Sequence, residues 1–424
     1  MADKSQLLED ANWPSLSENE RDRRWVRVRE MMKARGLDCL VVFGLKGREM
    51  FDRYLTNDRT GGIVIFPREG DGLIHLSWTT FDVTAHLESS LRDEASWVKD
   101  VRLGANGAGV VSVLREKGYE RASIGAVGLG MYAPGEMEGN VPYGTWAHIL
   151  EKLPDATFHN VSYPFAEVIF AKSDEELQLA RRAAAIGELV CEAMINATRV
   201  GATESEIYAA GMYHLFLNGG NGSPSPYISP MIFHSGPDNP SWGAPMWLFR
   251  PQRPRTIQNG DIILAEIFPH YGGMEAQLQL AIAVGEIDPV NKECAAIARR
   301  SYEAGIEALR PGRRFGEVVE AMEAPLREAG AWQLTPLIHS LNPLAWVSRS
   351  YVGVEKLPGI DRYQAVSGKP MVGGDLVIQA NTIWEIEPNA CLGKHRVNIG
   401  GTVIVTEKGV EELNVLPNEL RYVG

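Results

Sequence analysis

The sequence predicts two domains of different kinds, an α/β module over residues 1–168 and an α+β domain over residues 169–424. Three observations carry that reading. Short β-branched runs interleave with helical stretches through the first third of the chain, the pattern of strands and helices in alternating layers. At Lys172 the texture changes to long helices opened by side-chain caps. Beyond these, two strands far apart in sequence carry glutamates that alternate with apolar residues, in GDIILAEIFPHYGGMEAQLQ at 260–279 and NTIWEIEPNA at 381–390.

In chain order, Glu18 to Gly36 has helical periodicity through Trp25, Val28, Met31 and Met32 and stops at a glycine suited to a left-handed cap. Strand-like runs follow at 39–44, 61–66, 73–78 and 122–128, with helical segments at Val111–Lys117 and Gly144–Lys152. The module has no glycine-rich phosphate loop of either the GxGxxG or the Walker type, so nucleotide binding finds no support in it. Ser173 with Glu176, and Thr203 with Glu206, have the spacing of capping boxes, and the first opens an alanine-rich helix to about Arg199. The domain break is expected between 165 and 172. Asn291–Leu309 and Arg314–Ala329 read as two further amphipathic helices, one ending before Pro311 and the other at Gly330.

Between these helices, Ile262–Ile267 leads into a turn at Pro269–Gly273 and returns with Glu275, Gln277 and Gln279 alternating with Ala276, Leu278 and Leu280, which predicts a β-hairpin. Alternation puts Leu264, Glu266 and Phe268 on one side, and Glu275, Gln277 and Gln279 on one side of the partner strand. In the second acidic strand Glu385 and Glu387 alternate with Trp384 and Ile386, and Pro388 ends the ladder. His339 lies between the two strands in the apolar TPLIHSLNPLAW. Singly, these residues are edge-strand glutamates and a core histidine. Together they form a constellation of titratable groups of the kind that marks an active site.

The net charge of -12 over 424 residues disfavours a nucleic-acid partner, because phosphate binding calls for a basic surface. The N-terminus lacks the apolar segment of a signal peptide, and no run is apolar and long enough to span a bilayer. Four cysteines at 39, 191, 294 and 391 lack metal-type spacing and read as reduced thiols of a cytoplasmic protein.

The segments KSDEELQLARRAA at 172–184, SGPDNP at 235–240, GDIILAEIFPHYGG at 260–273, VGEIDP at 284–289, LRPGRRFGEV at 309–318, PLIHS at 336–340, and TIWEIEPNA with TVIVTEKGVEELN at 382–414 together resemble the pita-bread superfamily of methionine aminopeptidase, prolidase, creatinase and ectoine hydrolase. The first domain is similar to the smaller N-terminal domain of creatinase and prolidase. The resemblance implies a pita-bread catalytic domain behind a creatinase-like α/β domain, and a homodimer. It also implies five positions around two metal ions in the metallopeptidases of the superfamily, which fall here on Glu266, Gln277, His339, Glu387, and Gly400 or its neighbour. Two of the five thus lack a charge, and a neutral amide is a poor substitute for a carboxylate ligand. No metal or other cofactor is therefore expected. One divalent metal ion on Glu266, His339 and Glu387 is the alternative.

The resemblance then points to the metal-free branch, represented by creatinase and ectoine hydrolase. Creatinase's catalytic histidine falls where this chain has Trp242 and Gly243, and its hairpin glutamate falls on Gln279. Ectoine hydrolase aligns a glutamate with Glu266. The expected activity is hydrolysis, or elimination, at a carbon–nitrogen bond of a small cationic or zwitterionic compound. His339 is the expected general acid/base, Glu266 the nucleophile or electrostatic anchor, and Glu387 the group that orients substrate or shares protons. Gln277, Glu275, Gln279 and Glu385 are expected to bind substrate. Aromatic residues including Trp242, Trp247, Phe268 and Trp384 are candidates to face its positive charge. A metal-dependent peptidase-like hydrolase and a non-enzymatic binding protein remain the alternatives.

Overall fold

The computed structural model describes residues 13–44, 51–58, 61–70, 72–92, 94, 96–130, 141–222, 231–238, 243, 245–363 and 366–424. The chain divides into two compact units, Leu16–Phe170, and Met1–Ser15 together with Ala171–Gly424.

The first unit runs α1 Glu18–Ala34, β1 Cys39–Phe43, α2 Phe51–Thr56, β2 Gly62–Pro67, β3 Ile74–Ser77, α3 Thr80–Leu91, β4 Asp100–Leu103, α4 Gly107–Glu116, β5 Ser123–Val127, α5 Tyr143–Lys152, β6 Thr157–Asn160 and α6 Ser162–Phe170. Its strands form a mixed sheet in the order β4-β3-β2-β1-β5-β6. The β1–β2 and β2–β3 pairs are antiparallel and the rest parallel. Val41, Phe43, Ile63, Ile65 and Ile124 from the sheet pack with Val110 and Leu114 of α4 and Ile149 of α5. Strands buried on both faces read as unbroken apolar runs, which is why β1, β2 and β5 stand out in the sequence. Helix α3 does not, because none of its residues is buried and it has no core-facing stripe to impose a period. The break at Phe170 lies two residues past the expected end of the first domain, since α6 runs on to that point.

The second unit contains α7 Asp174–Ala197, α8 Glu204–Leu217, β7 Met231–Gly236, α9 Met246–Phe249, β8 Ile262–Ile267, β9 His270–Tyr271, β10 Met274–Glu275, β11 Leu278–Val284, α10 Pro289–Ala308, α11 Phe315–Glu328, β12 Ile338–Leu341, β13 Thr382–Ile386, β14 Asn389–Leu392, β15 His395–Asn398, β16 Gly400–Thr406, β17 Gly409–Glu412 and β18 Arg421–Val423. Both capping boxes form, at Ser173 with Glu176 and at Thr203 with Glu206. The main sheet runs β12-β13-β16-β11-β8-β7, with β17 on β16 and β18 on β11. Trp13 and Pro14 join this unit: the Trp13 ring lies 5.9 Å from that of Tyr271, whose hydroxyl donates to the Pro14 carbonyl.

The expected hairpin is broken in the middle. Residues 274–275 pair with 270–271 as a separate ribbon, and only from Leu278 does the chain return to β8. Pro269 cannot donate a ladder hydrogen bond, and Gly272 and Gly273, at φ of 58° and 87°, turn the ribbon tightly. The two faces of the main sheet differ. Trp384 stacks on Phe315 of α11 with centroids 5.1 Å apart, and Gly187 of α7 leaves room for Leu278, which a Cβ at that position would strike. Alternation then turns Gln277, Gln279, Glu385 and Glu387 away from these helices. Among the described residues no helix is long and apolar enough to cross a membrane, and all four cysteines are buried and unbridged.

Candidate active site

Register across the sheet assembles the site. Glu266 of β8 lies opposite Gln279 of β11, and Gln279 opposite Gly400 of β16. On the other side of β16, Glu385 of β13 lies opposite Thr402, and His339 of β12 opposite Glu385. Six strand positions separated by as many as 136 residues (266 to 402) thus fall in one belt. All of these side chains are buried.

A chain of polar contacts links them. His270 Nε2 lies 2.8 Å from Glu275 Oε2, and its Nδ1 meets the Phe268 carbonyl at 3.1 Å. Gln277 Nε2 donates to Glu275 Oε1 at 2.6 Å, which fixes the amide and turns its oxygen toward His339 Nε2, 3.1 Å away. The same nitrogen is 3.4 Å from Glu387 Oε1, while His339 Nδ1 meets the Ser340 carbonyl at 2.9 Å. Gln279 Nε2 donates to Glu387 Oε2 at 2.8 Å, and Asn398 bonds the Gln279 oxygen. Thr402 accepts from the Gln277 amide N–H at 2.7 Å and reaches Glu385 Oε2 at 3.1 Å. Asn342 brackets the Glu275 backbone, accepting from its N–H and donating to its carbonyl, and its own carbonyl receives Lys172 Nζ. Both nitrogens of His339 therefore face oxygen acceptors, so the ring is placed to hold a proton at Nε2 and pass it on.

The charges are coupled. Glu385 is fully buried, with Oε1 lacking a hydrogen-bond partner among the described residues. Burial, then the neighbouring Glu387 and Glu266, hold its carboxyl well above the usual carboxylate range. Arg396 is also buried, and burial works against its charge while Cys391, Glu266 and Glu387 are near enough to favour it. His234 of β7 has its pKa pushed down to about 4 by burial and by the charge of Arg396. Besides His339, the basic side chains Arg396 and His270 also lie beside the acids.

Of the sequence-predicted residues, the structure brings Glu266, Gln277, Gln279, His339, Glu385, Glu387 and Glu275 together. Phe268 is 1% exposed, and its carbonyl rather than its ring reaches the network. Trp384 points to the helical face, and Trp247 packs edge-on against Tyr208 at 5.6 Å. Trp242 lies outside the described residues. Sequence reasoning missed His270, Asn342, Arg396, Asn398 and His234. Of these, only His270 carried a local signal, standing in the same segment as Glu266.

The donor set does not suit the two-metal centre that the superfamily implies. Gln277 spends its amide between Glu275 and His339, and His339 Nε2 faces two oxygens where a ligand would present a lone pair. Gly400 has a φ of 132°, and a Cβ there would collide with the Ile386 carbonyl, so the last position has no room for a carboxylate side chain. Among the described residues no three His, Cys, Asp or Glu side chains converge on one point as a metal-holding group. Glu266, Glu387 and His339 are the residues nearest to such a set, and using them would require the His339 contacts to be remade.

The fold, a sheet-based unit of the pita-bread type preceded in the chain by a smaller α/β unit, is that of the aminopeptidase P and prolidase structures. Over 94% of its length the chain superposes on an X-Pro aminopeptidase from Thermotoga maritima with a TM-score of 0.71 and 17% identity, covering 99% of that structure. An Xaa-Pro dipeptidase from Bacillus anthracis superposes with the same TM-score at 18% identity, over 95% of this chain and 100% of the other. Residues 178–407 match metallopeptidase family M24, and the chain belongs to that family. In sequence it is 23% identical to a creatinase from a Bacillus species over 95% of this chain and 92% of the relative. It is 25% identical to a probable dipeptidase PepE from Mycobacterium tuberculosis over 76% and 84%. The protein is a creatinase-like hydrolase acting on carbon–nitrogen bonds.

Proposed function

We propose that this hydrolase acts without a metal ion on a small nitrogenous compound that carries a positive charge, alone or as a zwitterion. The observation that carries the reading is the pair of acceptors at His339 Nε2, Gln277 Oε1 and Glu387 Oε1, which holds a transferable proton where a metallopeptidase would place a metal-bound lone pair. In the proposed reaction Glu266 attacks the carbon bonded to nitrogen, and His339 gives its Nε2 proton to the leaving nitrogen as that bond breaks. Water then releases the product from Glu266 and returns a proton to His339. Elimination is the variant in which Glu266 takes a proton from the neighbouring carbon instead. Four carboxylates against one arginine support a positively charged substrate, since the acids gathered here outnumber the permanent cation. Creatinase, whose alignment with this chain covers nearly all of both, supports cleavage of a carbon–nitrogen bond in a small molecule. A cytoplasmic homodimer is part of the same proposal.

The test is a panel of small amines, amidines, quaternary ammonium compounds and Xaa-Pro dipeptides, assayed with the wild type and with Glu266→Gln, His339→Ala and Glu387→Gln. Turnover of a charged nitrogenous compound that is lost in all three variants is the expected result. Unchanged turnover in the three would remove the assignment.

A further inference from the structure

The contacts that reach His339 begin on a ribbon too small to hold itself. Strands β9 and β10 have two residues each, pairing Tyr271 with Met274 and His270 with Glu275. A two-stranded ribbon is marginal in water even at greater length. Yet this one carries Glu275, which fixes the Gln277 amide at 2.6 Å, and that amide meets His339 Nε2 at 3.1 Å. The His270 ring meets Glu275 at 2.8 Å on the inner face, so the next residue, Tyr271, turns its ring to the outer face. Whatever fixes the ribbon must act on that face or on its edge.

The edge is met by Asn221, just past α8, which exchanges both backbone hydrogen bonds with His270, at 2.8 and 3.0 Å. On the outer face stands a segment from the far end of the chain. The Tyr271 hydroxyl donates to the carbonyl of Pro14 at 3.0 Å, and the Trp13 ring lies 5.9 Å from the phenol ring. The Arg182 guanidinium of α7 faces both rings, 4.2 Å from the indole centroid and 5.7 Å from that of Tyr271. Arg182 is 1% exposed, and a cation gains most from an aromatic face when it is desolvated. Its Nη2 also donates to the Asn218 carbonyl. Gly219, at a φ of 76°, leaves the indole space that a Cβ would take. One indole thus joins α7, the segment that follows α8 and the ribbon.

We propose that Trp13 and Pro14 form a clasp that pins the β9–β10 ribbon from outside and so holds Glu275 against the Gln277 amide and, through that amide, His339 in its place; this rests on the reading of His339 as the general acid/base. Trp13 is a positioning residue. It acts through Tyr271 and the ribbon, not by contact with the substrate.

Hydrogen–deuterium exchange of the full chain, read on peptides spanning residues 268–277, tests this in wild type, Trp13→Ala, Trp13→Phe and Tyr271→Phe, with turnover of the panel compound measured on the same preparations. Local loosening should speed exchange in that segment of Trp13→Ala by about tenfold and leave the peptides of β8 and β13 as in the wild type. Trp13→Phe, which keeps an aromatic face for Arg182 and Tyr271, should stay near the wild type. Tyr271→Phe loses only the hydroxyl and should give about a threefold rise. The kcat of Trp13→Ala should fall by about tenfold, a larger change than in KM. Unchanged exchange in the segment overturns the proposal. So does a rise spread evenly over the second unit, which marks a general loss of stability, and so does local loosening with wild-type kcat. If Trp13→Ala does not fold, Tyr271→Phe decides by the same two readings. A wild type that turns over no panel compound removes the reading of His339 beneath the proposal, while the exchange still shows whether the clasp pins the ribbon.

Discussion

In the first unit His75 lies 3.4 Å from Asp58 and 4.0 Å from Asp52, and neither ring nitrogen has a hydrogen-bond partner among the described residues. In the second unit His339 meets an acceptor at each nitrogen, lies 3.4 Å from Glu387, and is joined through the Gln277 amide to Glu275. Both clusters pair a buried histidine with acids, of which Asp52 is buried and Asp58 half-buried in the first. The difference is orientation. Charge without directed contacts leaves a ring held by packing, whereas alternating carboxylates and amides fix where each proton sits and which atom receives it. Only the second arrangement prepares a histidine for proton transfer, and it sits on strands whose register is set by the sheet.

The comparison can be broken most directly at the histidines. His339→Ala should lower turnover of the compound found by the panel by about 10²- to 10⁴-fold, the usual contribution of a positioned acid or base. His75→Ala should leave turnover unchanged. Equal losses in the two variants would erase the distinction. A smaller effect is expected in the link between the acids. Gln277→Leu removes one hydrogen bond from Glu275 and one from His339, and the loss of such buried contacts costs about 1–3 kcal/mol, readable in urea unfolding.

The smallest effect, and the one that sharpens the comparison, is in pH dependence. Burial raises the carboxyl pKa of Glu385 and of Asp52 above the unfolded value, opposed at Asp52 by His75 and the Gly62 N–H. The folded state then binds these protons more tightly than the unfolded chain. The stability they contribute is fully present below the ordinary carboxylate range and is lost as pH rises through the raised folded values. Glu385→Gln and Asp52→Asn should therefore each flatten the fall in melting temperature from mildly acidic to neutral pH. A steeper fall in either variant would contradict the direction given for that carboxyl.

How much of this was legible in the sequence follows from the physics of each residue. The period of two along β8, β11 and β13 placed Glu266, Gln279, Glu385 and Glu387 correctly, because one face of a strand is a local property. The capping boxes at Ser173 and Thr203 were legible for the same reason. His270 was hidden by being read as part of a turn, when Pro269 and the two following glycines in fact fold a short ribbon that aims it at Glu275. Arg396 was hidden more deeply. In HRVN it alternates with hydrophobic and polar neighbours as a solvated arginine would, and only the packing of β14 and β15 buries it beside acids more than a hundred residues away in one case. Trp384, one of the aromatic candidates to face a positive charge, lies instead on the helical face, since alternation tells two faces apart without saying which one meets the helices.

The central claim is that proton transfer at His339 proceeds within a hydrogen-bonded protein network and not on a metal. The direct measurement is metal content by elemental analysis of protein purified without chelator, alongside turnover of the panel compound before and after chelation. The account predicts well below one metal ion per chain and turnover that survives chelation. A stoichiometric metal ion whose removal abolishes turnover, and whose return restores it, would contradict the account.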